Sequence, residues 1–408
     1  MTQAVPSSDR ARTTGILTSF KDLRPQGAQS LPQRIAVLAE PNIANYDAGA
    51  AARARTQVTS SVEAGNIFGF GSPIHAICKK LFDGGVGSIP VTVYPIAEQE
   101  DGSDPTAANG GSIAIAGTQT ADGRYIVNVG GVSTSEVFIA SGSSAAAATA
   151  LLNAAINKVL EMPVTSQDSA PDIDIDPKYA GEGAEAIYMS LEIIEDGGFT
   201  FTITQLSWGG GDEAGINRAL ANMSEDTRET MMVYSGNENL YTPIGKIEVF
   251  NENRWSPQIR KPFVCFMGLT YSATGALPAE GADSDAAARK SQRTMVYCSN
   301  PNSKESPWRN AAGQLSKVVQ VANNLVASDY GSQAVPGLAP GASVYQWNYT
   351  NRDVALKRGT STITVRDGVV TLEDIITTNH PTGETDPAYR YVVAIVKITN
   401  VLYNLDLA

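Results

Sequence analysis

The sequence predicts an α/β core domain, a mixed sheet with flanking helices, carrying an inserted β-rich α+β domain and an extended N-terminal arm. Three observations predict it. Short apolar strands alternate with helical periodicities over 34–98, and the alternation resumes over 230–328. Between them lie short β-like pieces fenced by Gly-rich linkers. The first 30 residues are polar, with brief apolar touches such as Ile16 and Leu17. The resulting partition is an arm at 1–30, the first part of the core at 31–98, the insertion at 99–208 and the second part of the core at 209–408.

Fully extended, an arm of about 30 residues reaches roughly 100 Å. A globule of this size has a radius of gyration of about 22 Å, so such an arm is long enough to touch a neighbouring molecule. It is read either as disorder or as a strand added to a neighbour's open sheet.

"RIAVLAEPN" (34–42) is a buried strand ended by Pro41, and a helical patch follows around Val62 to Ile67. "NIFGFGSPIHAICKKLF" (66–82) predicts a helix from Pro73 to Phe82. Ser72 caps it and Pro73 takes its first position. Ile74, Ile77 and Leu81 form its apolar face, and Asp83, Gly84 and Gly85 stop it. "IPVTVYPI" (89–96) is the next strand, so the order suggests a βαβ unit and a parallel sheet.

After an acidic linker at 98–112 come the β-like pieces "SIAIAG", "RYIVNVGG" and "SEVFIASG". The stretch 143–162 is a helix capped by Ser143 or Ser144, with Pro163 past its end. "AIYMSLEII" and "FTFTITQLS" complete this region, which "WGGGDEAG" (208–215) closes. "TMMVYSG" (230–236), "PFVCFMGLTYS" (262–272) and "TMVYCSN" (294–300) are strands. A helix at 242–255 takes Thr242 as cap and Pro243 as its first residue. A long amphipathic helix at 308–328 carries Leu315, Val318, Val319, Ala322 and Val326 on its apolar face. The stretch 361–377 is a hairpin turning at Asp367-Gly368, and 388–408 is a last helix that stops without a C-cap glycine.

Composition excludes several function classes. A net charge of −12 repels a polyphosphate backbone and argues against nucleic acid as a partner. No apolar run approaches the ~20 residues of a membrane helix, so no membrane insertion is expected. The opening "MTQAVPSSDRARTTG" lacks a secretory h-region. Cys78, Cys265 and Cys298 are far apart without a C-x-x-C, and each is expected as a small core residue in a reducing compartment. Two histidines, His75 and His380, leave almost no material for a His-based triad or a multi-His metal site.

Three motifs invite a chemical reading. Gly69 and Gly71 fit the start of a dinucleotide fingerprint, but Ile74 replaces the third Gly and no ribose-binding acid or Walker lysine follows. The other reading is a sharp glycine turn that starts a helix. Asp172, Asp174 and Asp176 resemble a calcium loop, but Pro177 and Gly183 stand where Gly and Glu are needed. The alternative is an edge strand with its acids outward and Ile173 and Ile175 inward. His380 is paired in principle with Ser361, yet it sits in a turn between Asn379 and Pro381, and no G-x-S-x-G elbow occurs. No catalytic, cofactor-binding or metal-binding residues are assigned, no cofactor is expected, and the chain is not expected to be an enzyme.

Several segments together resemble the tail sheath proteins of contractile-tailed bacteriophages, especially the Mu-like branch. "NIFGFGSPIHAICKKLF" looks like that family's FG-x-GS segment before a helix. "PVTVYPIAEQEDGSDPTAANGGSIAIAG" looks like its strand leading into an inserted domain, and "LEMPVTS" and "YAGEGAEAI" like segments within it. "RGTSTITVRDGVVTLEDIITTNHPTGETDPAYRYVV" looks like its GxST turn, hairpin and approach to a helix. Order and spacing along 31–408 carry the resemblance. Family members generally continue past this helix into a C-terminal arm segment, so that segment is expected to be absent from a span ending at Ala408, and this span alone to be mainly monomeric.

The resemblance implies a structural virion protein. Its partners would be neighbouring sheath subunits in hexameric rings stacked helically, the tail tube protein, and the baseplate and tail terminator proteins. Terminal arms of neighbours would complete shared sheets, and the insertion would face outward. Contraction would drive the tube through the host envelope without nucleotide or metal. The expected location is the virion tail, assembled in the bacterial host cytoplasm. A tailocin-type particle is the near alternative and an α/β nucleotide-binding enzyme the distant one.

Overall fold

A computed structural model describes residues 32–96, 110–207, 215–224, 227–278, 293–326, 328–380 and 389–407. The N-terminal arm, most of the 98–112 linker and most of the Gly-rich stretch at 208–215 lie outside the described residues.

The strands run in chain order as follows. Ile35–Ala39 (β1), Thr56–Val58 (β2) and Val91–Pro95 (β3) come first. Gly111–Gly117 (β4), Gly123–Val129 (β5), Val132–Ser133 (β6), Val137–Ile139 (β7), Val164–Ser169 (β8), Asp172–Pro177 (β9), Met189–Glu195 (β10) and Phe199–Thr204 (β11) form the middle. Met231–Tyr234 (β12), Val264–Gly268 (β13), Met295–Cys298 (β14), Thr360–Arg366 (β15) and Val369–Asp374 (β16) complete the set.

Eight of them build one mixed sheet in the order β16-β15-β14-β13-β12-β1-β3-β2. The neighbours from β15 to β3 are parallel, and β2 and β16 are antiparallel edges. A parallel sheet is covered on both faces, so its strands read as unbroken apolar runs. β1, β3, β12, β13 and β14 are buried at every position. Alternate residues feed two cores. Ile35, Val37, Val233 and Phe266 meet the helices Pro73–Asp83 and Pro307–Asn324. Ala36, Leu38, Met232 and Met267 meet the helices Ile216–Ala221 and Tyr241–Arg254.

The chain between β3 and β12 forms two antiparallel sheets. One has the order β11-β4-β9-β8; the other has β10-β5-β6 with β7 also on β5. The helix Ala145–Lys158, capped by Ser144, lays Ala148, Leu152 and Ile156 against them. Their apolar interior is continuous with the first face of the core sheet, from Ile113 and Tyr125 through Tyr179 to Trp308.

Two expectations need correction. β9 pairs with both β4 and β8, so "PDIDIDP" is an interior strand and not an edge; its alternation is as read, with Ile173 and Ile175 buried. The helix Tyr241–Arg254 begins one residue before Thr242, with Leu240 at its N-cap and no side-chain cap. Proline is tolerated throughout a first turn, whose N–H groups lack intrahelical partners, so Pro243 fits without being first. β2 escaped the sequence reading altogether.

The hairpin turn is as expected. Arg366 pairs with Val369, and Asp367 and Gly368 both take positive φ, 50° and 77°, as a type I′ turn requires. Side-chain amides close other backbone groups. Asn157, Gln205 and Asn251 each donate to the carbonyl and accept from the N–H of one residue: Ser166 in β8, Met189 in β10 and Phe263 ahead of β13.

Candidate functional site at the carboxyl ends of the core strands

The chain leaves β1 toward β3 on one side, and β12 later joins β1 on the other. In open parallel sheets the crevice outside the carboxyl ends, at such a reversal, is where ligands bind. Glu40 directly follows β1 there, and Ser235, Gly236 and Asn237 follow β12. Ser235 Oγ donates to Glu40 Oε2 at 2.6 Å. Burial pushes the Glu40 carboxyl up to about 7, although the Ser235 bond favours its ionised form.

The glycine turn sits beside this carboxylate. Gly69 and Gly71 take φ of 93° and 85°, which L side chains rarely adopt. A Cβ on Gly69 would meet the Asn42 side chain at 2.2 Å, and one on Gly71 would meet the Met162 carbonyl oxygen at 2.2 Å. The turn is therefore packed against the segment that precedes β8. Ser72 caps the helix as read: its Oγ accepts from His75 N at 3.1 Å and donates to Gly69 O at 2.8 Å. The Ile74 N–H donates to Glu40 O, and the Gly71 N–H faces His75 Nδ1 at 3.4 Å. The donors that a phosphate would need are thus engaged within the protein.

The crevice itself is filled. The segment after β9 runs over Glu40, with Tyr179, Ala180, Gly181 and Ala184 buried. Tyr179 packs edge-on to Trp308, ring centroids 5.9 Å apart. Its carbonyl neighbour Lys178 O accepts from Ile43 N at 3.0 Å, and a Cβ on Gly183 would lie 3.8 Å from Glu40 Oε1.

A second set of contacts ties the same face together. Glu305 takes Lys80 at 2.8 Å, Arg309 at 3.3 Å and the Ala339 N–H at 3.0 Å. Lys80 also donates to Gly337 O. Burial lowers the Lys80 pKa, and Glu305 pulls it back up. Ser306, at the N-cap of Pro307–Asn324, makes no cap bond to its own helix; its hydroxyl donates to Gly130 O at 3.2 Å between β5 and β6. Lys79 pairs with Glu161 at 2.5 Å across the same boundary.

The remaining sequence candidates do not converge here. Ser361 Oγ donates to Ile376 O and accepts from Ile376 N, both at 3.0 Å, while His380 Nδ1 lies 2.6 Å from Thr378 O. Asp174 and Asp176 point outward from β9, and among the described residues no three His, Cys, Asp or Glu side chains form a metal-binding group. All three cysteines are buried and free, and burial raises the Cys78 thiol to about 12. An open groove elsewhere is lined by Asp47, Arg53, Arg55 and Arg218. In it Arg53 donates to Tyr46 O and lies over the Tyr46 ring, and Arg55 lies over Tyr94. No described helix is long and apolar enough to cross a membrane.

Sequence reasoning missed Glu40, Ser235, Tyr179 and Glu305. One signal was available for Glu40: an acid directly after five apolar residues and directly before Pro41.

No protein-family model matches the chain, and no curated protein matches it by sequence. Among solved structures it is similar to a sheath tail protein from Desulfitobacterium hafniense, at 11% identity over 94% of this chain and 80% of that one, with a TM-score of 0.45. It is similar to a sheath tail protein from Listeria innocua at 12% identity, over 96% and 80% of the two chains, with a TM-score of 0.46. It is also similar to the helical sheath of the anti-feeding prophage in its contracted state, at 11% identity over 93% and 71%, with a TM-score of 0.41.

Proposed function

We propose that this chain is a structural subunit of a contractile tail sheath. The observation that carries the reading is the filled crevice. At the place where an α/β sheet of this kind holds a ligand, Tyr179, Ala180, Gly181, Ala184 and Ala186 of the same chain are packed, and the first-turn donors of the helix beside it are engaged. A framework closed in this way serves as a rigid body, and its function lies at its surfaces. The family-like segments quoted above supply the rest of the reading.

In this reading 31–98 and 209–408 are the core domain, 99–208 is an outward-facing insertion, and 1–30 is an arm that exchanges a strand with a neighbour. Subunits form hexameric rings stacked around a tail tube, of the Mu-like branch, bounded by baseplate and terminator proteins. The rings assemble in the host cytoplasm and contract to drive the tube through the host envelope. The sheath of a tailocin-type particle would have the same architecture. Electron microscopy of the protein as its cell makes it tests the proposal. Regular tubes of stacked rings are the expected result; protein that stays strictly monomeric at every concentration refutes it.

A further inference from the structure

Glu40 is a carboxyl group that is 4% exposed, and among the described residues no cation pairs with it. Its one side-chain donor is Ser235, at 2.6 Å. A buried carboxylate whose donors are one hydroxyl and its own backbone N–H, with no cation, is poorly compensated, whereas the same group protonated is an ordinary buried acid.

What lies over Glu40 is the 178–187 segment, held at its start by Ile43 N to Lys178 O and at its end by the short helix Glu182–Ala186. Among the described side chains, the titratable groups near the site are Lys178, Tyr179 and Glu185 on that segment, Tyr46 and Asp47 on the helix Ile43–Ala48, and His75 on Pro73–Asp83. Lys178 is turned to Leu160 O, and Glu185 and Asp47 are exposed. His75 packs on Phe70 and faces the Gly71 N–H. Tyr179 is fully buried, its hydroxyl has no hydrogen-bond partner, and the Glu40 charge would add to what already opposes its ionisation. Among the described side chains of the covering segment, none therefore donates to an anion at Glu40.

We propose that Glu40 is a proton-operated latch, holding the 178–187 segment against the core sheet when protonated and loosening it when ionised. The raised carboxyl fixes the direction. An opened segment exposes Glu40 to water, where its pKa returns to about 4.3. The closed state keeps its proton to about 7. Closure is thus fully favoured at acidic pH and loses ground as pH rises to about 7, beyond which the loss levels off.

Hydrogen exchange of the full chain, corrected for intrinsic rates and read on peptides covering 178–187, tests this. The local opening constant is expected to rise about thirtyfold from about pH 5.5 to about pH 8.5. In Glu40→Gln, a neutral isostere, that rise is expected to vanish. Equal protection of the wild-type segment at both pH values, or an undiminished rise in Glu40→Gln, overturns the proposal. Should Glu40→Gln fail to fold, Ser235→Ala carries the test. It removes the donor that favours the ionised form, so the midpoint of the loss moves to higher pH; a midpoint that stays in place or falls overturns the proposal.

Discussion

Replacing Gly71 by Ala measures how firmly the turn is wedged against the segment before β8. Two costs combine. The backbone at φ 85° imposes about 1–2 kcal/mol on an L residue. The added Cβ lies 2.2 Å from Met162 O and 2.9 Å from Met162 C. Met162 is not free to retreat: its N–H donates to Val159 O at 3.1 Å, and the next carbonyl, Pro163 O, accepts from Lys178 N at 3.0 Å. Overpacking against fixed neighbours costs about 1–3 kcal/mol. The expected loss is about 2–5 kcal/mol, read from urea midpoints at constant slope. Gly142→Ala isolates the first cost, because its φ is 81° and nothing lies within 4 Å of the new Cβ. Gly87→Ala, with ordinary φ and equally open space, controls for both and is expected to be neutral or stabilising by under ~1 kcal/mol. The reasoning fails if Gly71→Ala costs no more than Gly142→Ala.

Two further outcomes follow from the same face. Glu305→Ala leaves Lys80 and Arg309 as partly buried cations without their shared carboxylate, and is expected to cost about 3–5 kcal/mol in equilibrium unfolding. Burial depresses His75 from 6.5 to about 4, so the unfolded chain takes up this proton first. Its contribution is full above about pH 6.5 and is lost as pH falls to about 4. His75→Gln is expected to flatten that limb of a stability–pH profile; an unchanged acid slope would count against a buried neutral imidazole.

Much of the fold was legible where local grammar decides it. The serine, proline and apolar spacing of 72–82 specify a capped helix whatever surrounds them, and Asp367-Gly368 specifies its turn by backbone conformation alone. What long-range pairing decides was not legible. The alternation of "PDIDIDP" tells which side chains face inward but not whether one neighbour or two flank the strand, and β4 arrives from some 60 residues away. Thr242 has the chemistry of a cap but not the place, because buried Leu240 takes the N-cap position two residues earlier. The candidate site was hidden for the same reason. Glu40 and Ser235 are separated by 195 positions and become partners only when β1 and β12 lie side by side.

The three amide clasps carry a consequence on the timescale of ageing. Each works because one end of the side chain donates and the other accepts, as at Asn157, where Nδ2 gives to Ser166 O at 2.8 Å and Oδ1 takes from Ser166 N at 3.1 Å. Slow hydrolysis of such an amide to an acid turns the donor into a second acceptor and sets two oxygens face to face. At Asn157 and Gln205 the released backbone belongs to β8 and β10, the outermost strands of their sheets. Stored protein would then acquire sticky strand borders one chemical event at a time, with no change in chain length and a mass gain of about one dalton to mark each.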